Sequence, residues 1–503
     1  MQGALAAGAS ALRAPASPLR AAPRCGTLRA AALRRAPRAP RASAGVDAAK
    51  AVLSRAEEAA ASRAYRRSLN QTGRYTRQPT NDPESLAAME EHGTGYSSTG
   101  LVAQMREAGN EWREGELTVL LAEAYGYCWG VERAVQMAYE ARRAYPGRPL
   151  HITNEIIHNP AVNARLSEMG VQFVAADAAS GEKDFSRVQR GDVVILPAFG
   201  ASVQEMRLLN EREVQIVDTT CPWVSKVWNA VDTQAKKGHT SIIHGKWAHE
   251  ETVATASFAG TYLVVKDMAE AEFVAAFILA DAGARDAAAF RARFHPSAMS
   301  PGFDPLADLE RVGVANQTTM LKGETEAIGK LFERTMLQRH GPAELAQRYL
   351  VSDTICDATQ ERQDAVYDMV GHPDGADGTP APPPARRLDM LLVVGGFNSS
   401  NTSHLQEIGE LKGVPSFWVD AAERIDVAAN AITHKLAHGE LVETRNWLPA
   451  GPLLVGVTSG ASTPDRNVED VLDRVFRIRD PGFEGIAPRA TAAGKPAHEE
   501  HDE

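Results

Sequence analysis

The sequence predicts an α/β protein with mainly parallel sheets flanked by helices. From Leu117 onward, short β-rich apolar runs alternate with amphipathic helical stretches, as in VVIL (193–196) and MLLVV (390–394). Such alternation is typical of strand–helix–strand units. A unit of strand, sharp turn, polar or thiol side chain and helix also occurs five times in the chain. Because ligands of open α/β sheets lie at the carboxyl ends of the strands, we expect these units to face one central site.

Helix boundaries and insertions interrupt this alternation at defined places. Asn159 and Pro160 stand at the cap and first-turn positions of NPAVNARLSEMG, and Gly170 ends the segment. This pattern predicts a helix. Residues 280–307 and 372–387 do not fit the alternation, and both are interpreted as surface insertions. The second is too rich in Pro and Gly to pack.

The beginning of the chain differs in composition from its body. The 503 residues carry a net charge of −10, yet residues 1–46 hold eight arginines and no Asp, Glu or Lys. Such a segment is typical of an organellar transit peptide, which we expect to be disordered; a basic tail that binds nucleic acid or a membrane surface is the alternative. The acidic body argues against a nucleic-acid partner. No run reaches the ~18 apolar residues that a membrane span needs.

Two more segments flank the body. Residues 47–115 are polar, open with a helical pattern and show no core strand, so we expect them to lie on the body as an extension. Residues 481–503 are expected to form a flexible tail. Its two histidines among carboxylates could bind a metal ion, but a solvated terminus is the simpler interpretation.

Three cysteines of the body share one local context. Cys128, Cys221 and Cys356 each follow a β-rich run and open a predicted helix, whereas Cys25 lies in the predicted transit segment. The free N–H groups and dipole of a helix N-terminus stabilise a thiolate, which suits it to bind iron. Three ligands leave one position of a metal cluster free for substrate, while a cluster that only carries electrons is normally closed by four. Each cysteine alone would more simply be a buried, inert thiol.

Two later segments place small polar side chains where a strand turns into a helix. GGFNSSN contributes Ser399, Ser400 and Asn401, and TSGAST contributes Ser462. Backbone N–H groups at such turns, together with these side chains, can form a cradle for phosphate oxygens. Neither segment is a Walker loop, and ordinary helix caps are the alternative.

Groups for acid–base chemistry follow other predicted strands. Three histidines lie in or just after such strands: His158, His244 and His249. Imidazole can hydrogen-bond a diphosphate, and the Glu251 carboxyl group, if it lies in a cleft, can deliver a proton to a leaving oxygen. Gln317 and Thr318 follow a further apolar run and could orient a water or hydroxyl group. A structural side chain with satisfied hydrogen bonds is the alternative for any single histidine.

Nine segments occur in order that resemble a known enzyme family. They are AYGYCWGVERAV, NEIIHNP, LPAFGA, VDTTCPWVSKV, HEETVATASF, ANQTTMLKGETE, TICDATQERQDA, GGFNSSNTSHLQEI and GVTSGASTPD. Together they resemble the 4-hydroxy-3-methylbut-2-enyl diphosphate reductases of the methylerythritol phosphate route to isoprenoids. The resemblance covers residues 116–480, and residues 60–115 are similar to the extension of plastid and cyanobacterial members.

The resemblance implies three α/β lobes around one central iron–sulfur cluster. The lobes are expected over residues 130–220, 221–352 and 353–480, with 116–129 in the third. The implied cofactor is one 4Fe-4S cluster whose fourth iron binds the substrate hydroxyl. Its implied ligands are Cys128, Cys221 and Cys356.

The resemblance also implies roles for the polar residues. Those that correspond to the family's diphosphate-binding residues are His158, His249, Ser399, Asn401 and Ser462, with Ser400 beside them. Gln317 is assigned to substrate binding as well. Glu251 matches the family's acid, Thr318 matches the hydroxyl that works with it, and His249 is counted as catalytic too. Many bacterial members have a histidine at the position of Phe199 in LPAFGA, whereas plastid-type members also have phenylalanine there. The diphosphate contact that the histidine would make could pass to His244, Lys246 or backbone groups.

The implied activity removes the allylic hydroxyl of the substrate by two-electron reduction and gives isopentenyl diphosphate, dimethylallyl diphosphate and water. The implied setting is the chloroplast stroma, with ferredoxin as the electron donor, no nucleic-acid partner, no membrane span, and a homodimer as one option. Two other functions stay open. One is a zinc hydrolase, although HEE lacks the second His of HExxH. The other is a redox-sensing cluster protein that binds a phosphorylated ligand through the same loops.

Overall fold

The structure is a computed structural model, and it describes residue 65 and residues 68–177, 182–352, 354–374, 379–437 and 439–485. All of them belong to one unit, Ala51–Glu503. The predicted transit segment 1–46, and residues 486–503 of the predicted tail, lie outside the described residues. In the part of the chain that is described, no helix combines the length and apolar composition needed to cross a bilayer.

The N-terminal extension adds an edge strand to two sheets of the body. Its elements are β1 (Tyr75–Thr76), α1 (Pro83–Glu91), α2 (Leu101–Glu107) and β2 (Glu111–Glu114). β1 pairs parallel with a strand of the first sheet, and β2 pairs antiparallel with the strand that follows it. Met89 and Met105 are buried in the cores. Both strands are only partly buried and lie at sheet edges, so the described part of residues 47–115 has no core strand, as predicted, although a short polar strand can still pair at an edge.

The first lobe follows the predicted alternation. The chain runs through β3 (Leu117–Leu121), α3 (Trp129–Ala144), β4 (Leu150–Ile152), α4 (Pro160–Glu168), β5 (Val171–Phe173), β6 (Val193–Leu196), α5 (Val203–Glu211) and β7 (Gln215–Asp218). Its sheet is entirely parallel, in the order β1-β7-β6-β4-β5. Val193 and Ile195 face one core cluster, and Val194 and Leu196 face another. The sheet is thus buried on both faces, as is usual for a parallel sheet.

The second lobe contains a four-stranded parallel sheet. Its elements are α6 (Pro222–Lys236), β8 (Thr240–His244), α7 (Glu250–Ala256), β9 (Tyr262–Val265), α8 (Met268–Leu279), α9 (Ala287–Arg293), α10 (Pro305–Asp308), β10 (Val312–Asn316), α11 (Lys322–His340), α12 (Leu345–Arg348) and β11 (Tyr349–Val351). The strand order is β11-β10-β8-β9.

Residues 280–307 contribute aromatic side chains to the core of this lobe. Phe290 is 1% exposed and Phe303 is 4% exposed. The Phe290 ring lies 4.7 Å from that of Phe277 on α8. Most residues of this stretch are exposed, as a surface insertion predicts, but its spaced aromatic side chains are buried against a neighbouring helix and anchor it to the core. The described part of 372–387 is mostly exposed, as predicted.

The third lobe is built on the largest sheet. Its elements are α13 (Asp357–Val370), β12 (Met390–Val394), α14 (Ser400–Leu411), β13 (Ser416–Val419), β14 (Ile425–Asp426), β15 (Ala431–Lys435), β16 (Leu441–Arg445), β17 (Leu453–Ser459) and α15 (Asp465–Arg479). The strand order is β14-β15-β13-β12-β17-β3-β2, with β16 paired to β15. β13, β12, β17 and β3 run parallel, and the outer strands are antiparallel. The predicted mainly parallel α/β class is confirmed.

Candidate active site

Each body cysteine lies where the chain leaves one sheet and enters the next lobe. Cys128 follows β3 of the third sheet and caps α3, which packs in the first lobe. Cys221 follows β7 of the first sheet and caps α6, which packs on β8 and β10. Cys356 follows β11 of the second sheet and caps α13, which packs on α14. The three helix N-termini are thus related by a cyclic pattern of crossovers, and each cysteine stands between a strand and a helix, as the sequence predicted.

The three thiols face a common space. A β-carbon added to Gly130, in the first turn after Cys128, would lie 2.4 Å from Sγ of Cys221. Burial, followed by the charges of Cys128 and Cys356, raises the pKa of the Cys221 thiol to about 12. Burial, followed by the negative charge of Cys128, raises the pKa of the Cys356 thiol to about 11. Because burial and neighbouring charges both disfavour the thiolates of Cys221 and Cys356, a positively charged occupant of this space would stabilise those thiolates.

Backbone N–H groups also point at the sulfur atoms. Those of Trp223 and Val224 donate to Cys221 and lower its pKa, and those of Ala358 and Thr359 act in the same way on Cys356. Such donors stabilise thiolate and tune iron–sulfur clusters. Among the described residues, no group of three or more His, Cys, Asp and Glu side chains is placed to hold a single metal ion. This finding concerns a site for one ion, since the ligands of a cubane cluster stand further apart than those of a single ion.

Glu251 is buried in the first turn of α7. It is 3% exposed, and burial raises its pKa to about 7 against the opposing effect of its hydrogen bonds. The backbone N–H and the hydroxyl of Thr318 lie 2.6 and 2.9 Å from its two carboxyl oxygens. The charge of Glu251 contributes to the raised pKa of Cys356, so the carboxyl group faces the thiol space. A carboxyl group that changes protonation near neutral pH can act as a general acid.

A chain of hydrogen bonds joins two histidines to Glu155. The N–H of Glu251 donates to Nδ1 of His249 at 3.2 Å, so the ring proton of neutral His249 is on Nε2. That Nε2 lies 3.3 Å from Nε2 of His158, which must accept and therefore carries its own proton on Nδ1. The Nδ1 of His158 donates to Glu155 at 2.9 Å. The sequence analysis overlooked Glu155, although a carboxylate three residues before a histidine is a usable signal.

The Phe199 ring packs against both histidines. It stacks on the ring of His158 at 4.8 Å, and it meets the His249 ring edge-on at 6.2 Å. His249 is half-buried, and desolvation followed by the charges of His158 and Lys246 lowers its pKa to about 3. His249 is therefore neutral near pH 7 and offers an N–H donor. The imidazole orientation is fixed before any ligand arrives.

The third lobe supplies buried polar groups that lack partners. Ser400 is 3% exposed and Asn401 is 2% exposed. The Ser400 hydroxyl and the Asn401 Nδ2 have no hydrogen-bond partner among the described residues, whereas Asn401 Oδ1 accepts from the N–H of Ala461. Ser399 caps α14, accepting from the N–H of Thr402 at 3.3 Å. Unpaired buried donors are costly and indicate a place for a polar ligand.

Ser462 connects this cradle to the histidines. Its hydroxyl donates to the carbonyl of His158 at 3.1 Å. A β-carbon added to Gly396, in the turn after β12, would lie 2.2 Å from the same carbonyl oxygen. The serine turns of the third lobe and the histidine turn of the first lobe are therefore in direct contact. These contacts bring together the turns that carry His158, His249, Ser399, Ser400, Asn401 and Ser462.

Two predicted polar residues take part in the scaffold. Gln317 is 1% exposed, and its Oε1 accepts from the N–H of Lys246 and the hydroxyl of Thr252, each at 3.1 Å. It holds the loop that leads to His249. His244 is fully buried, and its Nδ1 lies 2.8 Å from the hydroxyl of Thr325. A cavity of about 1270 Å³ lies on the other side of α7, lined by Glu250 and Val253 but not by Glu251.

Comparison with known proteins identifies the family. The family described as LytB protein matches residues 119–476. A chloroplastic 4-hydroxy-3-methylbut-2-enyl diphosphate reductase of Botryococcus braunii is 62% identical over 441 residues, which are 87% of this chain and 85% of that protein. The enzyme of that name from Parasynechococcus marenigrum (strain WH8102) is 56% identical over 417 residues, which are 83% of this chain and 99% of that protein.

A solved structure agrees in fold. The E-1-hydroxy-2-methyl-but-2-enyl-4-diphosphate reductase from Plasmodium falciparum superposes with a TM-score of 0.51 at 20% identity, covering 73% of this chain and 89% of that chain. At this identity the likeness concerns the fold alone. The family match and the 62% identity to an algal relative carry the assignment further. This chain belongs to the LytB family, the iron–sulfur 4-hydroxy-3-methylbut-2-enyl diphosphate reductases.

Proposed function

We propose that this chain reduces (E)-4-hydroxy-3-methylbut-2-enyl diphosphate to isopentenyl diphosphate and dimethylallyl diphosphate. The reaction consumes two electrons and two protons, breaks the allylic C–O bond and releases one water. The observation that carries this proposal is a buried carboxyl group with a pKa of about 7, beside three facing thiols and next to a cradle of unpaired polar groups. Reductive loss of a hydroxyl needs an electron source, an acid and an anchor for the diphosphate: the thiols would hold an electron-carrying cluster, the carboxyl group is the acid, and the cradle is the anchor.

The cofactor we propose is one 4Fe-4S cluster held by Cys128, Cys221 and Cys356. When bound, it supplies the two electrons one at a time and a Lewis-acidic iron that is not held by a cysteine. The residues fit this group, because the thiols face one space and the first turn of α3 has a glycine at the point nearest Cys221. N–H groups at the helix N-termini stabilise the thiolates.

Glu251 is the proposed acid for the leaving oxygen. With a pKa of about 7, it is about half protonated at neutral pH. Thr318 can serve both states, because its hydroxyl donates to the carboxylate and can accept from the protonated acid. His249 is a catalytic residue in this scheme, since its Nδ1 fixes the first turn that carries Glu251, and its Nε2–H, which faces His158 in the free protein, would turn to the bound substrate.

The diphosphate is proposed to lie on the third-lobe cradle and the two histidines. Ser399, Ser400, Asn401 and Ser462 provide hydroxyl and amide groups, and the N-terminus of α14 adds its N–H groups. His249 would donate from the second lobe when its Nε2–H turns from His158 to the diphosphate, and His158 completes the site from the first lobe. An anchored diphosphate keeps the short allylic chain folded toward Glu251 and excludes water from the reacting carbon. Gln317 contributes by holding the His249 loop.

The proposed setting is the chloroplast stroma. Two observations support it: the Botryococcus braunii relative is a chloroplastic enzyme, and residues 1–46, proposed as a transit peptide, are rich in arginine and free of acidic residues. A ferredoxin is the proposed electron donor, and we propose the lobes as residues 130–220, 221–352 and 353–480 with 116–129. N-terminal sequencing of the protein isolated from plastids would test the transit peptide. We also propose a homodimer as one option for the assembly, and light scattering would test it.

Anaerobic turnover tests the function most simply. Protein purified without oxygen is mixed with the substrate and a strong chemical reductant, and the products are separated by chromatography. We expect both isopentenyl and dimethylallyl diphosphate. Recovery of unchanged substrate by a cluster-loaded protein would instead indicate a ligand-binding redox sensor.

A further inference from the structure

Arg362 is a buried arginine on the helix that begins at Cys356. It is 5% exposed. Its guanidinium donates to the carbonyls of Gly126 and Tyr127 at 2.7 Å each, and reaches that of Tyr125 at 3.4 Å. These carbonyls belong to the turn that ends at Cys128. A further bond at 2.7 Å runs to the carbonyl of Ala358, in the first turn after Cys356. One side chain therefore ties the turn before one cysteine to the helix after another.

The charge of Arg362 has no carboxylate partner. Among the described residues, no Asp or Glu oxygen lies within the 4.0 Å that defines an ion pair with its guanidinium. All of its hydrogen bonds go to neutral backbone carbonyls. A buried cation without a counter-ion is strongly unfavourable, so such a residue indicates an anion that completes the site.

Arg133, on the helix that begins at Cys128, makes the matching contact in the first lobe. Its guanidinium donates to the carbonyls of Thr219 and Thr220, in the turn that ends at Cys221. Burial, followed by the charge of Arg77, lowers the pKa of Arg133, and the charge of Asp218 acts in the opposite direction. Both arginines therefore order cysteine turns, and among the described residues neither forms an ion pair with an acidic side chain.

We propose that Arg362 is a positioning residue that also balances the charge of the cluster. The inference rests on the proposed ligation by the three cysteines. Three thiolates around a 4Fe-4S core give it a net negative charge, which grows when the core is reduced. The guanidinium, held between the Cys128 turn and the Cys356 helix, offsets that charge and favours the reduced state. Net charge is one of the main determinants of cluster potential.

The test compares Arg362→Gln with Arg362→Lys in the full chain. Arg148→Gln is the control, because Arg148 also donates to a backbone carbonyl, that of Gly191 at 2.7 Å, at an exposed site of the first lobe. Each protein is reconstituted anaerobically, and its cluster potential is measured by a redox titration followed by electron paramagnetic resonance. We expect a shift to more negative potential in Arg362→Gln and none in Arg362→Lys or Arg148→Gln.

Thermal unfolding of the metal-free and cluster-loaded forms separates this role from a merely structural one. We expect the rise in Tm on cluster binding to be smaller in Arg362→Gln than in the wild type and preserved in Arg362→Lys. An unchanged potential, an equal fall of Tm in both forms, or a metal-free Arg362→Gln chain that does not fold would each overturn the proposal. Absence of iron and sulfide from the wild-type protein would instead overturn the proposed cysteine ligation.

Discussion

Thr318 holds both oxygens of the Glu251 carboxyl group, one through its backbone N–H at 2.6 Å and the other through its hydroxyl at 2.9 Å. The two residues come from different strand–helix turns of the second lobe, after β10 and at the start of α7. Burial raises the pKa of Glu251 to about 7, and both Thr318 bonds act to lower it. The carboxyl group is thereby kept fixed in orientation and able to change protonation near neutral pH.

Glu251→Gln should remove the proton donor while keeping the shape of the side chain. We expect kcat to fall by about 10²–10⁴-fold, the usual contribution of a general acid. Diphosphate binding and cluster reduction should persist, because neither uses the carboxyl proton. Glu250→Gln is the matched control, since the neighbouring Glu250 carboxylate forms an ion pair with Lys183 at 3.4 Å and has no role in the proposed chemistry. Steady-state kinetics under anaerobic conditions provide the measurement, and normal turnover in Glu251→Gln would exclude it as the acid.

Thr318→Val should move the pH dependence of turnover. The protonated fraction of Glu251 falls as pH rises through about 7, so turnover of the wild type should decline on the alkaline side. The Thr318 hydroxyl favours the carboxylate, and its loss raises the pKa of Glu251. The alkaline limb should then shift to higher pH in Thr318→Val and stay in place in Thr318→Ser. A limb that is identical in the wild type and Thr318→Val would show that Glu251 does not limit turnover there.

Glu155→Ala should weaken diphosphate binding with little effect on the chemical step. Glu155 accepts from Nδ1 of His158 and fixes the ring so that its Nε2 faces His249. Loss of one such bond, worth about 1 kcal/mol, predicts a several-fold rise in KM and a kcat close to the wild type. Glu168→Ala is the control, because Glu168 is an exposed partner of Arg165 in the same lobe. An unchanged KM would remove Glu155 from the binding machinery.

Ser400→Ala should affect binding and stability in opposite ways to Ser403→Ala. The Ser400 hydroxyl is buried without a partner, so its removal should not lower the Tm of the free protein. The loss of one hydrogen bond to a charged diphosphate, about 1.5–3 kcal/mol, should raise KM by about one to two orders of magnitude. The Ser403 hydroxyl donates to the Ala437 carbonyl, so Ser403→Ala should lower Tm and leave KM unchanged. A destabilised Ser400→Ala protein with normal KM would contradict the cradle.

Gly130→Ala should impair cluster loading. The added methyl group would lie 2.4 Å from Sγ of Cys221, much closer than van der Waals contact, and would push the thiol out of the common space. We expect a marked fall in iron and sulfide bound per chain after anaerobic reconstitution. Gly323→Ala, at a helical position with nothing within 4 Å, should load normally. Equal loading of the two variants would mean that Cys221 does not need this position to bind the cluster.

Sequence reasoning located the elements that carry regular patterns. The apolar runs at 193–196 and 390–394 are strands, and Asn159 caps the helix over Pro160–Glu168. Each body cysteine occupies a helix N-cap, as the strand-to-helix context predicted. These predictions succeed because burial on both sheet faces and capping leave local signatures.

Other features depend on partners distant in sequence and could not be predicted locally. The polar strand Glu111–Glu114 is recognisable only through its pairing with Leu117–Leu121. Phe290 looks exposed in a stretch rich in Ala and Arg until α8 covers it. The contact of His158 with His249 joins residues from two lobes, and no periodicity along the chain encodes it.

The most direct test of the central claim is iron and sulfide counting combined with Mössbauer spectroscopy of the anaerobically purified protein, with and without substrate. The claim is that three cysteines hold a four-iron cluster and leave one iron open to the substrate. We predict four irons and four sulfides per chain, with the spectrum of one iron in four changing when substrate is added. Bound zinc without sulfide, or a cluster whose irons all ignore the substrate, would contradict it.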